Sequence, residues 1–156
     1  MPVINLKDVP LKTGSIYPEP YASQMAGRRS LRLGQAGGLT QFGANLVILE
    51  PGARSSLRHW HRNEDEFVMV TKGECTLVQD AGETVMQPGD CAAFPAGDPD
   101  GHCFVNNTDA DVQFLVIGSK ARDEVVTYSD VDLRLERAGG EATFTRKDAS
   151  PLDIPE

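Results

Sequence analysis

At 156 residues the chain has room for one domain with a real hydrophobic core, and its 40% hydrophobic and 24% charged content is that of an ordinary globular protein. A formal net charge of −8 makes nucleic acid and anionic membranes poor partners, and no apolar run approaches the roughly 18 residues of a spanning helix. The opening MPVINLKDVP lacks the basic-then-apolar pattern of a secretory signal, and Cys75, Cys91 and Cys103 are an odd set without CxxC spacing; both point to a cytoplasmic protein without a disulfide framework.

Residues 1–38 are irregular, with Pro10, Pro18 and Pro20 early and Gly34, Gly37 and Gly38 at the end. They predict an arm of short strands and turns rather than long helices. Arg28, Arg29 and Arg32 form a small basic cluster whose plain reading is a solvated surface. From 39 to 118 the chain breaks into short β-rich runs: LTQFGANLVILE, SLRHWH, EFVMVT, CTLVQ, ETVMQ, CAAFP, HCFVN and VQFLVIG. The punctuation between them is PGARS, RNED, KGE, DAGE, PGD, AGDPDG and NTDAD. Short strands with tight turns predict an all-β sandwich or small barrel. Residues 119–156 are polar; VVTYSDVDLRL suggests a strand or two at an edge, and the remainder orders only by docking on the barrel or a partner chain.

The chain has three histidines, and two stand in RHWHRNEDEF. Alternate residues of a strand share a face, so His59 and His61 project together and Trp60 points away. After the turn RNED an antiparallel neighbour beginning at Glu66 can place its carboxylate beside the pair. Two imidazoles and a carboxylate at short range suit a divalent transition metal. A lone HxH is more readily read as two satisfied polar groups. His102, opening the run HCFVN after a Gly-Pro turn, is the remaining histidine of the same β-rich segment and strengthens the metal reading.

These residues resemble both motifs of the cupin superfamily. GARSSLRHWHRNEDEFVMVTKG carries Gly52, His59, His61, Glu66 and Gly73 of the first, and GDCAAFPAGDPDGHCFVN carries Gly89, Pro95, Gly97, His102 and Asn106 of the second. Six residues separate Gly52 from His59 where five are usual, and four separate Gly97 from His102 where two are usual. Both insertions fall in turns. The distance back from Gly73 selects Glu66 over Glu64, with Asp65 pointing away. Gly52, Gly73, Gly89 and Gly97 read as turn glycines, and Asn106 as a turn cap.

The resemblance implies a double-stranded β-helix, the jelly-roll cupin barrel, over 39–118. An N-terminal arm (1–38) and a C-terminal extension (119–156) would flank it. It implies one divalent metal (Zn, Mn, Fe or Ni) held by His59, His61, Glu66 and His102, and a homodimer. Among small bacterial cupins the chain looks most like those called sugar phosphate isomerases. The expected function is a metal-dependent isomerase acting on a small polar sugar or sugar phosphate. An Fe(II) dioxygenase of a small acid or diketone, and a non-catalytic binding or sensing barrel, are the alternatives. Glu50, Tyr17 and Tyr21 are candidate bases, beside a metal-bound hydroxide. Arg54, Arg58 or the Arg28/Arg29/Arg32 group would clamp a phosphate, with strand alternation turning Arg58 outward alongside Trp60.

Overall fold

The structure, a computed structural model, describes residues 2–153. It is built of antiparallel strands: β1 (Leu11–Thr13), β2 (Arg28–Arg32), β3 (Phe42–Leu49), β4 (His59–His61), β5 (Glu66–Lys72), β6 (Cys75–Gln79), β7 (Gly82–Met86), β8 (Cys91–Phe94), β9 (Cys103–Val105), β10 (Val112–Ser119), β11 (Glu124–Tyr128), β12 (Arg134–Ala138) and β13 (Glu141–Thr145). All eight runs read from residues 39 to 118 form strands, β3 to β10. SLRHWH contributes only its last three residues. Helix is confined to short turns at Leu6–Asp8, Ala22–Met25 and Leu33–Ala36.

The strands form three sheets, in the orders β1-β2-β3-β10-β5-β8, β13-β12-β11-β4 and β7-β6-β9. The first is the floor of an all-β jelly-roll barrel and the other two close over it. Single bridges at Arg54–Val105 and His59–His102 tie β4 and the segment before it to β9 and the segment before it. Alternation explains the core. Val47 and Leu49 on β3, Val68 and Val70 on β5, and Val112 and Phe114 on β10 face inward and are all but sealed. They meet Cys75, Leu77, Met86 and Phe104 from the opposite sheet. Each such side chain contributes about 1.5–3 kcal/mol by leaving water.

The turn glycines of the two motifs, Gly52, Gly73, Gly89 and Gly97, all have positive φ, between 74° and 93°. Gly73 is constrained twice, because a Cβ there would lie 2.9 Å from Val112 Cγ1 and 3.0 Å from the Asp111 carbonyl. Asn106 is wholly buried. Its Nδ2 donates to the Leu49 and Ala110 carbonyls at 2.9 and 2.8 Å, and its Oδ1 accepts from the Thr108 N–H and hydroxyl. That side chain welds the β9–β10 turn to the end of β3.

The terminal segments are woven into this framework. β2 pairs along β3 from Arg28↔Leu49 to Arg32↔Asn45 and is covered by β1. The basic cluster is therefore an interior strand, where the sequence reading gave solvated surface. β11 is likewise no edge: it lies between β12 and β4, with Val126 opposite His61 and Tyr128 opposite His59. A second core of Met25, Leu57, Val126, Tyr128 and Leu133 joins the C-terminal sheet to the N-terminal segment through Tyr17 and Tyr21.

Candidate metal centre

The three-residue strand β4 delivers His59 and His61 to one face, and β11 supplies its ladder. The backbones of His59 and His102 pair reciprocally, with N···O distances of 3.1 and 2.9 Å. This sets the second-motif histidine beside the first-motif pair. The turn 62–65 reverses the chain so that Glu66 opens β5 beneath them. The structure thus brings His59, His61, Glu66 and His102 together. One donor atom each from His59, His61 and Glu66 lie within 4.8 Å of one another, and His102 Nε2 is 3.1 Å from Glu66 Oε1. Asp65 does turn aside, its Oδ1 accepting the Ala96 N–H at 2.8 Å.

Each ring is oriented by what its second edge touches. His59 Nδ1 is 2.8 Å from the Leu57 carbonyl, so it carries the proton and leaves Nε2 with a lone pair. His61 Nε2 faces Glu66 Oε2 at 3.2 Å. Its Nδ1 is buried between Glu124 Oε2 at 3.8 Å and Glu64 Oε2 at 3.7 Å. The His102 ring stacks on Phe94, centroids 3.6 Å apart, and Phe94 is the register partner of Glu66. A methyl group on Gly101 would overlap the Ser129 hydroxyl, so that position admits the loop close enough to deliver His102.

Burial, with His102 adding to it, pushes His59 down to about 4, which keeps its imidazole neutral and able to coordinate. Burial also opposes protonation of His61, but the Glu66 carboxylate and then Glu124 and Glu64 outweigh it and raise its pKa. Burial would raise Glu66, yet hydrogen bonds from His102 and His61 hold its carboxyl well below the usual range.

The donor set fits a divalent metal. Three imidazoles and one carboxylate converge, and the Glu66–imidazole separations of 3.1 and 3.2 Å match neighbouring ligands around an ion with bonds of about 2.1 Å. Neutral His59 and ionised Glu66 are the protonation states that coordination asks for, while at His61, whose pKa is raised, a metal would displace a proton.

A cavity of about 330 Å³ opens above His59, Glu66 and His102. Of the candidate bases, Tyr17 lines it; Tyr21 packs in the second core and Glu50 lies outside beside Arg29. Of the candidate clamps, Arg28 and Arg32 line it. Arg29 turns to the other face and pairs with Asp111. Arg58 is spent on Asp130, Asp80 and the Gly101 carbonyl, and Arg54 on the Ser56 carbonyl and Cys103. Trp60 borders a second, small cleft that His61 and His102 also line.

The sequence reading missed Lys12, Tyr128 and Glu124. Tyr128 lines the cavity opposite His59 and edge-to-face with Tyr17, centroids 5.4 Å apart. Burial raises both phenols and keeps them protonated. A signal for two of the three existed: in EVVTY, Glu124 and Tyr128 are in phase with inward Val126, and a charged residue on the buried phase of a strand asks for a reason.

Residues 45–118 match the Cupin domain family. The chain is 57% identical, with a TM-score of 0.95, to a cupin-superfamily sugar phosphate isomerase from Silicibacter pomeroyi, the match covering 97% of this chain and 96% of that one. A candidate sugar phosphate isomerase from Acidithiobacillus ferrooxidans is 32% identical, with a TM-score of 0.74, over 83% of this chain and 81% of that one. A polyketide cyclase from Streptomyces resistomycificus, 23% identical with a TM-score of 0.61 over 76% and 79% of the two chains, shares the fold alone. No curated protein sequence matches the chain. The chain belongs to the cupin superfamily. Among the described residues no helix is long and apolar enough to cross a membrane.

Proposed function

We propose that the protein is a metal-dependent isomerase acting on a small sugar or sugar phosphate, with His59, His61, Glu66 and His102 holding one divalent metal. The observation that carries this is the grouping of His59, His61, Glu66 and His102, of which His59, Glu66 and His102 line one cavity. The sugar phosphate isomerase named for the 57% identical relative supports the same reading. A divalent metal bound there supplies a Lewis acid for a substrate carbonyl or hydroxyl. Tyr17 and Tyr128, protonated across the working pH range, donate hydrogen bonds to substrate oxygens beside His59. Ser55, Ser56 and Asn45 give the cavity further polar edges for a polyol. A wall that also carries Lys12, Arg28 and Arg32 suits a sugar phosphate better than the diketone of the dioxygenase alternative, though a small acid would also meet these cations, and the phenols beside His59 favour turnover over simple binding.

The test has two stages. Purified protein should carry about one equivalent of a first-row metal, lost in His61→Ala. Metal-loaded protein, incubated in D2O with pentose and hexose phosphates, should interconvert an aldose–ketose pair and show deuterium at the carbon beside the carbonyl. Loaded protein that produces neither interconversion nor exchange across the panel overturns the isomerase reading.

A further inference from the structure

We infer that Lys12, Arg28 and Arg32 form an anion subsite that takes the terminal phosphate or carboxylate of a short polyol whose other end faces His59 and Glu66. The inference rests on the reading above for what happens at the metal end, but its evidence is separate.

The first observation is placement. Arg28, Ser30 and Arg32 alternate along β2 and so share one face, and Lys12 on β1 is the register partner of Ser30. Across β3 the same face continues through Asn45 and Val47, partners of Arg32 and Ser30. These residues line the cavity, while Arg29, between them, points to the other side and finds Asp111 at 2.9 Å.

The second observation is that these cations are unpaired. Among the described residues no carboxylate comes within ion-pair distance of Lys12, Arg28 or Arg32, whereas Arg29, Arg58, Arg134, Arg137 and Arg146 each have an acidic partner. Arg28 is half-buried and its Nε has no hydrogen-bond partner. Burial lowers its pKa, the mark of a guanidinium held out of water without a counter-charge. A chain with 23 acidic against 15 basic residues has acids to spare. Other basic residues also lack an acidic partner, but Lys12, Arg28 and Arg32 are gathered on the wall of one cavity, an arrangement that a bound anion completes.

The third observation is span. β2 and β5 are separated by β3 and β10, three spacings or about 14 Å along the sheet. Long side chains reaching inward from β1 and β2 shorten that gap. A cavity of about 330 Å³ lies near the lower end of ligand pockets, roughly 300–1,000 Å³. The ligand is therefore a few carbons long, with oxygens at one end and an anion at the other. Among the described residues Glu66 is the one carboxylate lining the cavity, and it lies at the end away from β2, so the three cations face no acid of their own there. Arginine forks match phosphate and carboxylate oxygens in pairs.

The experiment measures binding to metal-loaded and metal-free protein by calorimetry, with inorganic phosphate, ribose 5-phosphate, ribose and ribonate as probes. Ribose 5-phosphate should bind far better than ribose. Arg28→Gln and Arg32→Gln should each weaken it by about tenfold to a hundredfold, with metal content and melting temperature held. Arg29→Gln, on the opposite face, should change neither. Arg32 is exposed, so its variant keeps the test valid should Arg28→Gln fail to fold. Ribonate binding tighter than ribose 5-phosphate, and lost in the same variants, supports the subsite with a carboxylate as its anion. Phosphate-independent binding, or anion binding unchanged in both variants, overturns it. Phosphate binding to metal-free protein keeps this outcome distinct from any failure of the metal reading.

Discussion

Replacing Glu124 with glutamine alters one atom and one charge behind His61. Glu124 is 2% exposed. Its Oε1 accepts three backbone N–H groups, from Arg62 at 3.0 Å, Asn63 at 2.9 Å and Val125 at 2.7 Å, and an amide oxygen can keep all three. Among the described residues its Oε2 has no hydrogen-bond partner, and it faces His61 Nδ1 at 3.8 Å. A metal held by Nε2 would need the proton on Nδ1, and the negative charge of Oε2 at 3.8 Å favours this tautomer. An amide NH2 there offers a donor to a donor, and the favoured response is to move the proton to Nε2, where it competes with the metal. Loss of such a supporting carboxylate costs about 10- to 100-fold in metal affinity. Glu64 Oε2 at 3.7 Å from the same nitrogen remains, although its Oε1 is held by Arg137 and the Ala121 N–H. The expected loss is therefore nearer tenfold, about 1.4 kcal/mol. Chelator competition gives the metal dissociation constant, and thermal unfolding of the metal-free variant shows whether the three N–H contacts survive. Wild-type metal affinity in a folded Glu124→Gln protein would refute the assignment of Glu124 to His61.

Three further outcomes are expected. Stripping the metal should lower the melting temperature of wild type but not of His61→Ala; at free metal 100 times its dissociation constant the bound state gains about 2.7 kcal/mol, or roughly 5–10 °C for a domain of this size. Asn106→Ala should cost about 2–4 kcal/mol in urea unfolding, because it strips the buried Leu49 and Ala110 carbonyls of their donor together with two bonds from Thr108. A colorimetric thiol reagent at pH 8 should label exposed Cys91 alone. Raising the pH to 9 should not recruit Cys75, since burial pushes that thiol up to about 12 and its reactive thiolate appears only near that pH.

The strands between residues 39 and 118 were legible because each carries its own signal. Val68 and Val70, or Phe114 and Val112, alternate inward over a few residues, and a positive-φ glycine such as Gly73 or Gly89 ends the run. The HxH pair was legible for the same local reason, and Glu66 through its distance from Gly73. His102 needed the motif, since nothing local states that its backbone bridges His59 across more than forty residues. What the sequence concealed depends on distant partners. RRSLR has the charge of a surface, yet β2 is sandwiched between β1 and β3, and only that pairing shows which arginines enter the cavity. EVVTY reads as an edge until β4 is seen to need it.

The division of labour follows from these positions. The four candidate donors lie between His59 and His102, inside the segment that matches the Cupin domain family. Lys12, Tyr17, Arg28, Arg32, Glu124 and Tyr128 lie outside it, on the terminal segments. That segment thus supplies all four donors, while the terminal segments supply the cavity's cations, the two phenols and the carboxylate behind His61. β4 is three residues long and its ladder partner is β11, so the C-terminal segment also fixes the plane in which His59 and His61 project. The same donors set among other terminal segments would meet other side chains, so what a ligand encounters beside His59 and Glu66 is decided outside the matched segment.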